Sequence, residues 1–140
     1  MKRVAGLLLT FILLCCVSCE KGHDNEPEEF DIYGKWGVTD VTYTYPDRAS
    51  VYMEERDGHY YEYWTFQVNG VLIVKYEPHG DTKYGDFVYY ENKKQINYLF
   101  EGNRRSINAT IVELSPTKMR FIADLQEVGQ NIYTMKKIAW

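Results

Sequence analysis

Between residues 32 and 140 no stretch sustains an apolar pattern at the 3.6-residue spacing of an amphipathic helix. Short runs that alternate apolar with polar residues follow one another instead, each cut off by turn residues. In Tyr33 to Tyr45, Trp36 and Val38 share one parity and Val41, Tyr43 and Tyr45 the other. That switch near Thr39-Asp40 predicts a β-bulge, which bends a long strand. Runs Tyr60–Val68 and Val71–Glu77 flank Asn69-Gly70, the strongest short hairpin signal. A two-residue turn there pairs Val68 with Val71 and Phe66 with Ile73, and sets all four with Trp64 on a core-facing side. Runs Tyr84–Glu91, Lys94–Glu101, Ser106–Leu114, Lys118–Leu125 and Asn131–Ala139 continue the rhythm. They add Ile96, Tyr98 and Phe100, then Met119 and Phe121, to the expected interior. Thirteen tyrosines, with many β-branched residues, suit pleated strands. Little helix is expected, and residues 47–57 are where it would form.

About eight such strands joined by tight turns make an all-β, antiparallel up-and-down meander. A twisted meander closes, or nearly closes, into a β-barrel and so removes its edges. An open two-sheet sandwich is the competing arrangement. At eight strands the interior is filled by side chains or holds one small ligand.

The front of the chain is a different material. Lys2 and Arg3 precede an apolar run from Val4 to Leu14, followed by Cys15, Cys16, Val17, Ser18 and Cys19. A positive start, a short apolar stretch and small residues form the layout of a secretory signal peptide, too short for a permanent membrane span. Val17-Ser18-Cys19 resembles the end of a bacterial lipobox. That resemblance implies a lipoprotein signal peptide over residues 1–18, removed so that Cys19 becomes the acylated N-terminus and anchors the chain in a membrane. A soluble secreted protein cut nearby, or an uncleaved anchor, is the plainer alternative. Residues 19–31 follow as the lipidated cysteine and an acidic tether rich in Glu and Asp, with Pro27 against any helix. Acidic residues at this place resemble the export signals of surface-displayed lipoproteins in some Gram-negative bacteria. The expected location is the cell envelope, at the outer membrane, on its periplasmic or exposed face.

All three cysteines lie within residues 15–19, so the domain over residues 32–140 has no disulfide, thiolate metal ligand or cysteine nucleophile. Taking Lys2 and Arg3 from 16 basic residues leaves 14 against 20 acidic ones. With no basic cluster beyond Lys93-Lys94 and Arg104-Arg105, a nucleic-acid partner is not expected.

The domain also resembles a small bacterial lipocalin-like lipoprotein. Gly34-Lys35-Trp36 is similar to the Gly-x-Trp that opens the first lipocalin strand. Phe66 followed by Asn69-Gly70, and Leu114-Ser115-Pro116-Thr117-Lys118-Met119 leading into a late strand, are similar to small members of the group. The resemblance implies that Trp36 packs across the closed end of a barrel, beneath a ligand cavity, with Gly34 permitting close approach. The place of an arginine over that Trp falls to Lys136 or Lys137. The lack of that arginine fits a shortened barrel with a shallow or filled interior.

No nucleophile elbow or phosphate loop is present, and His23, His59 and His79 stand far apart with no ligand spacing. No catalytic site, metal or cofactor is expected. Tyr60 to Trp64 and Tyr84 to Tyr90 hold more rings than one face can bury. Tyr61, Tyr63 and Tyr89 are therefore candidates for an outer aromatic surface. The expected function is a non-enzymatic envelope lipoprotein that binds a small apolar ligand in its barrel. The alternative is a surface adaptor that binds a protein or glycan through exposed tyrosines; an envelope inhibitor of another enzyme is a third possibility.

Overall fold

The computed structural model describes residues 30–45, 48–53, 55–56 and 58–140. Residues 1–29, on which the expected signal peptide, the expected lipidation at Cys19 and most of the expected tether fall, lie outside the described residues. Strand β1 spans Gly34–Tyr45, β2 Arg48–Met53, β3 Glu55–Arg56 and β4 His59–Tyr60. The rest are β5 (Glu62–Phe66), β6 (Val71–Tyr76), β7 (Thr82–Tyr90), β8 (Gln95–Phe100), β9 (Ile107–Leu114), β10 (Lys118–Asp124) and β11 (Gln130–Ala139).

From β5 to β11 each strand pairs antiparallel with the next, and β11 returns to β1, which pairs with β5. Eight strands, β1 and β5 to β11, thus form a closed antiparallel barrel rather than a sandwich. Closure runs along most of β1, from Lys35 opposite Ala139 to Thr44 opposite Gln130. The register shifts between Val38 and Asp40, where the parity switch predicts a bulge. Trp36, Val38 and Val41 are consequently all buried.

Residues 48–53 and 55–56 correct the expectation of a helix over 47–57. Only Gly34–Gly37 of β1 pairs with β5, which leaves one edge of Asp40–Tyr45 open. Strand β2 pairs along that edge, Asp40 opposite Met53 and Tyr45 opposite Arg48. Exposed strand donors and acceptors seek a partner, and the neighbouring segment supplies it.

The β5–β6 hairpin corrects a second expectation. Thr65 stands opposite Ile73 and Phe66 opposite Leu72, one position away from the register of a two-residue turn. The Gly70 amide donates to Gln67 O, and Gln67 N donates to Val71 O, both at 3.0 Å. Gly70 has φ +85. Val68-Asn69-Gly70 is therefore a three-residue loop, a tight turn followed by a left-handed glycine. Slipping by one residue turns the side chains of the second strand over. Leu72 and Val74 enter the core, while Val71 and Ile73 take the other parity and are only half-buried.

Antiparallel order gathers the connections at two ends. One end carries Gly34, the 67–70 turn, Glu91–Lys94, Ser115–Thr117 and Trp140. The other carries Glu62, the Tyr76–Asp81 turn, and the loops 101–106 and 125–129. Between them lies one apolar core that includes Trp36, Trp64, Phe66, Leu72, Met119, Phe121 and Met135.

Candidate functional site

The first end is plugged. Trp36 is fully buried and stands opposite Trp64 across β1 and β5. Its indole Nε1 donates to Ile32 O at 2.8 Å, which folds the lead-in segment under the barrel and buries Ile32 completely. Tyr33 brings its ring within 6.2 Å of Phe87. Lys137 Nζ lies 5.0 Å from the Trp36 ring centroid, 3.4 Å from that of Trp140 and 3.6 Å from Asp31 Oδ1. Its side chain is only 6% exposed, and burial pulls its ammonium below the usual lysine range against the opposing pull of Asp31. Of the two lysines available for a cation over Trp36, Lys137 takes the place and Lys136 stays exposed. Gly34 has φ +118, and a Cβ there would lie 2.6 Å from Ala139 O, so this close approach needs glycine.

Aromatic rings fill the middle. The Trp64 ring centroid lies 5.2 Å from Tyr133, 5.5 Å from both Tyr98 and Phe121, 6.0 Å from Phe66 and 6.1 Å from Phe100. Such offset and edge-on pairs add to the hydrophobic contribution of the rings. Of the residues assigned to the interior from sequence, Trp64, Phe66, Ile96, Tyr98, Met119 and Phe121 are buried, and Phe100 packs half-buried against them. Val68 is not interior: it is 83% exposed at the hairpin tip. Val71 and Ile73 are not interior either, for the register reason given above.

The second end is a mouth with polar groups set among rings. Glu62 continues the inward row of Trp64 and Phe66 on β5, is only 8% exposed, and its Oε1 accepts a 2.6 Å hydrogen bond from Trp64 Nε1. Tyr76 is its cross-strand neighbour on β6. The hydroxyls of Tyr76, Tyr98 and Tyr133 are all held above the ordinary tyrosine range, first by burial and next by the negative charge of Glu62. Asn131 Nδ2 donates to Tyr133 Oη at 3.3 Å. Lys83 Nζ stands 5.2 Å from the Tyr76 ring and 5.8 Å from the Phe100 ring. At the same end a hollow of about 330 Å³ opens between the loops around Ser106 and Gln126, with Ile107, Leu125 and Val128 in its lining. One carboxylate, several hydroxyls and several ring faces therefore meet just above a closed aromatic floor.

A barrel opened by Gly-x-Trp and plugged by that Trp agrees with what comparison with known families finds: residues 32–121 match the model of the lipocalin-like domain. The chain belongs to the lipocalin-like domain family. The match begins at Ile32, under Trp36, and ends at Phe121 within β10, so the closing pairing of β11 with β1 is supplied by the structure itself. No curated protein matches the chain at a significant level.

The lipocalin-like barrel also carries rings on its outside. His59, Tyr60, Tyr61, Tyr63, Glu77 and Pro78 line a cleft of about 450 Å³. Tyr61 is 37% exposed. Tyr63 is half-buried, with Lys35 Nζ 4.6 Å from its ring centroid and its hydroxyl accepting from the Tyr60 amide at 3.1 Å. Tyr89 corrects the expectation of an outer ring. It shares its parity on β7 with Phe87 and Gly85, and packs half-buried against the core. Tyr84 and Tyr90, at 49% and 46% exposed, are the outward rings of that strand. His59 and His79 are exposed. Among the described residues no group of three or more His, Cys, Asp or Glu side chains is placed to hold a metal ion.

Glu62 is the site residue that sequence reasoning missed, although its signal was present. It shares the parity of Trp64 and Phe66, and a carboxylate in an inward row is an exception that calls for a reason.

Proposed function

We propose that this chain is a non-enzymatic lipoprotein of the bacterial cell envelope whose barrel takes up a small, largely apolar ligand through the mouth above Trp64. The observation that carries this reading is the difference between the ends: Trp36 and Ile32 plug one, while the other presents ring faces and a few polar groups. Binding sites for small molecules are usually apolar concavities with a small number of placed polar groups. Because rings fill the middle, the ligand sits at the mouth rather than deep in the barrel. Family membership supports ligand binding as the general role, and the lipobox-like Val17-Ser18-Cys19 supports the anchor.

Native mass spectrometry of the protein released from the membranes of an expressing bacterium tests both parts. The expected result is a mature chain that begins at Cys19 with acyl chains attached, together with a co-purifying small mass. A chain that keeps residues 1–18, or begins elsewhere without lipid, overturns the anchor. Repeated isolation without a small mass, and no exchange with added apolar compounds, overturns the ligand.

The outer cleft favours a second reading, an adaptor that engages a glycan or protein through Tyr61 and Tyr63. Tyrosine offers a stacking face with a polar tip, which suits such partners. Alanine at both positions then removes capture of that partner and leaves uptake at the mouth unchanged.

A further inference from the structure

We infer that the plugged end is a docking face for an anionic phospholipid surface, with Trp140 and Val68 in the interface and the lysines around them against the headgroups. This goes beyond ligand binding at the mouth, and it rests on the proposed lipid anchor only for the direction in which the membrane lies. Trp140 and Val68 are 86% and 83% exposed, more than any other valine, isoleucine, leucine or aromatic residue described. Both line one groove of about 620 Å³, together with Tyr33, Lys35 and Gln67. Two apolar side chains joined in one exposed groove mark an interaction surface. An indole, apolar with one polar N–H, suits the headgroup level of a bilayer.

Charge separates this end from the other. Beside its turns Asp31 engages Lys137, and Glu113 engages Lys118 at 3.1 Å. That leaves Lys35, Lys93, Lys94 and Lys136 against Asp86 and Glu91, four positive charges to two, on a chain whose formal net charge is −4. At the mouth Lys75 pairs with Glu77, and Lys83, Arg104 and Arg105 meet Asp81, Glu101, Asp124 and Glu127. Lysines close to an anionic leaflet are drawn to it. The chain also enters the barrel here: Asp31 lines the same groove, and Cys19 precedes Phe30 by 11 residues. Fully extended, that span reaches at most about 40 Å. A lipid on Cys19 therefore holds this end near the bilayer, but a tether alone lets the barrel turn. The lysines and Trp140 decide which face settles, and the mouth then points away from the membrane.

The test uses the full chain isolated from bacterial membranes and reconstituted in vesicles of phosphatidylcholine, alone or mixed equally with phosphatidylglycerol. Each vesicle carries lipids brominated near the headgroup. Trp36 and Trp64 are buried, so bromine quenching reads Trp140 alone among the three tryptophans. Quenching is expected in the anionic vesicles and is expected to weaken in about 1 M salt, where charges are screened within about 3 Å. Lys93→Gln with Lys94→Gln, both at exposed positions, lowers the ratio of docked to undocked chain about fivefold for each lysine. Trp140→Phe removes the signal without releasing the chain. Flotation of the vesicles in high salt reads the anchor separately. A chain that floats there but is not quenched, or is quenched equally in both vesicles and in the double variant, overturns the docking face and leaves the anchor standing. A chain that floats only with anionic vesicles at low salt, and is quenched, keeps the face and overturns the anchor. Flotation with neither overturns both. A carbodiimide crosslink from Lys93 or Lys94 to residues 20–29 also overturns the face, because the acidic segment and not lipid then covers it.

Discussion

The two ends of this barrel use the same residue types to opposite effect. At the plugged end a tryptophan, a lysine and a carboxylate are packed against one another: Trp36 donates to the Ile32 carbonyl, and Lys137 is enclosed between two indoles with Asp31 beside it. At the mouth a tryptophan, a lysine and a carboxylate also meet, but Glu62 points inward among hydroxyls and Lys83 stays exposed over the rims of two rings. The first arrangement uses its polar groups up in holding the chain together. The second also buries its carboxylate, with Trp64, Tyr98 and Tyr133, but leaves Tyr76 and Phe100 half-buried and Lys83 exposed at its rim.

Alkaline pH is expected to have the largest effect on that contrast, and it acts on the mouth. Tyr98 and Tyr133 keep their protons in the folded state above the ordinary tyrosine value of 10.0. Their contribution is therefore intact below that pH and lost as the pH rises past it, because the unfolded chain ionises first. Each group lowers stability by about 1.4 kcal/mol per pH unit while it stays protonated. Urea melts from about pH 9 to about pH 12, read beside tyrosinate absorbance, check this. Ionisation of every tyrosine in one step near pH 10 with stability unchanged would show that the mouth hydroxyls are not enclosed.

At the plugged end, Trp36→Ala is expected to lower stability by about 3–5 kcal/mol, whereas Phe100→Ala at the mouth lowers it by about 1–2 kcal/mol. Equal losses in denaturant titrations would erase the distinction between plug and opening. Gly34→Ala follows at about 1–3 kcal/mol, from its left-handed backbone and the clash with Ala139 O, again by denaturant titration. Lys137→Met keeps the packing of the stem and loses only the cation between the rings, so its melting midpoint should drop by the equivalent of about 0.5–1 kcal/mol. The smallest effect belongs to Tyr61→Ala, which is expected to change stability by less than about 0.5 kcal/mol, since the side chain is well exposed. A larger loss would make the outer cleft part of the core rather than a surface.

Much of this was legible before any coordinates. The alternating runs marked out the barrel strands, and the parity switch at Thr39-Asp40 marked the bulge. The rows Ile96, Tyr98, Phe100 and Met119, Phe121 lie inward because alternation is a local property of an extended backbone. What failed did so for non-local reasons. Asn69-Gly70 announced a turn but not its length, and the added residue moved Val68, Val71 and Ile73 off the core. Residues 48–53 became a strand because β1 outruns its partner β5, a fact about length and tilt that their own composition does not carry. Tyr89 went inward with Phe87 because β7 alternates through it, while its neighbour Tyr90 took the outside.

The residues by themselves determined the strand rhythm, the absence of cysteine from the domain and the place of the Gly34-Lys35-Trp36 opening, since each depends only on neighbours along the chain. Which lysine would cover Trp36, which carboxylate would be enclosed and which end Trp36 would plug were decided by the tertiary structure. Those outcomes depend on register and closure, on β11 meeting β1 about a hundred residues away in sequence, and only then does a side chain acquire an inside.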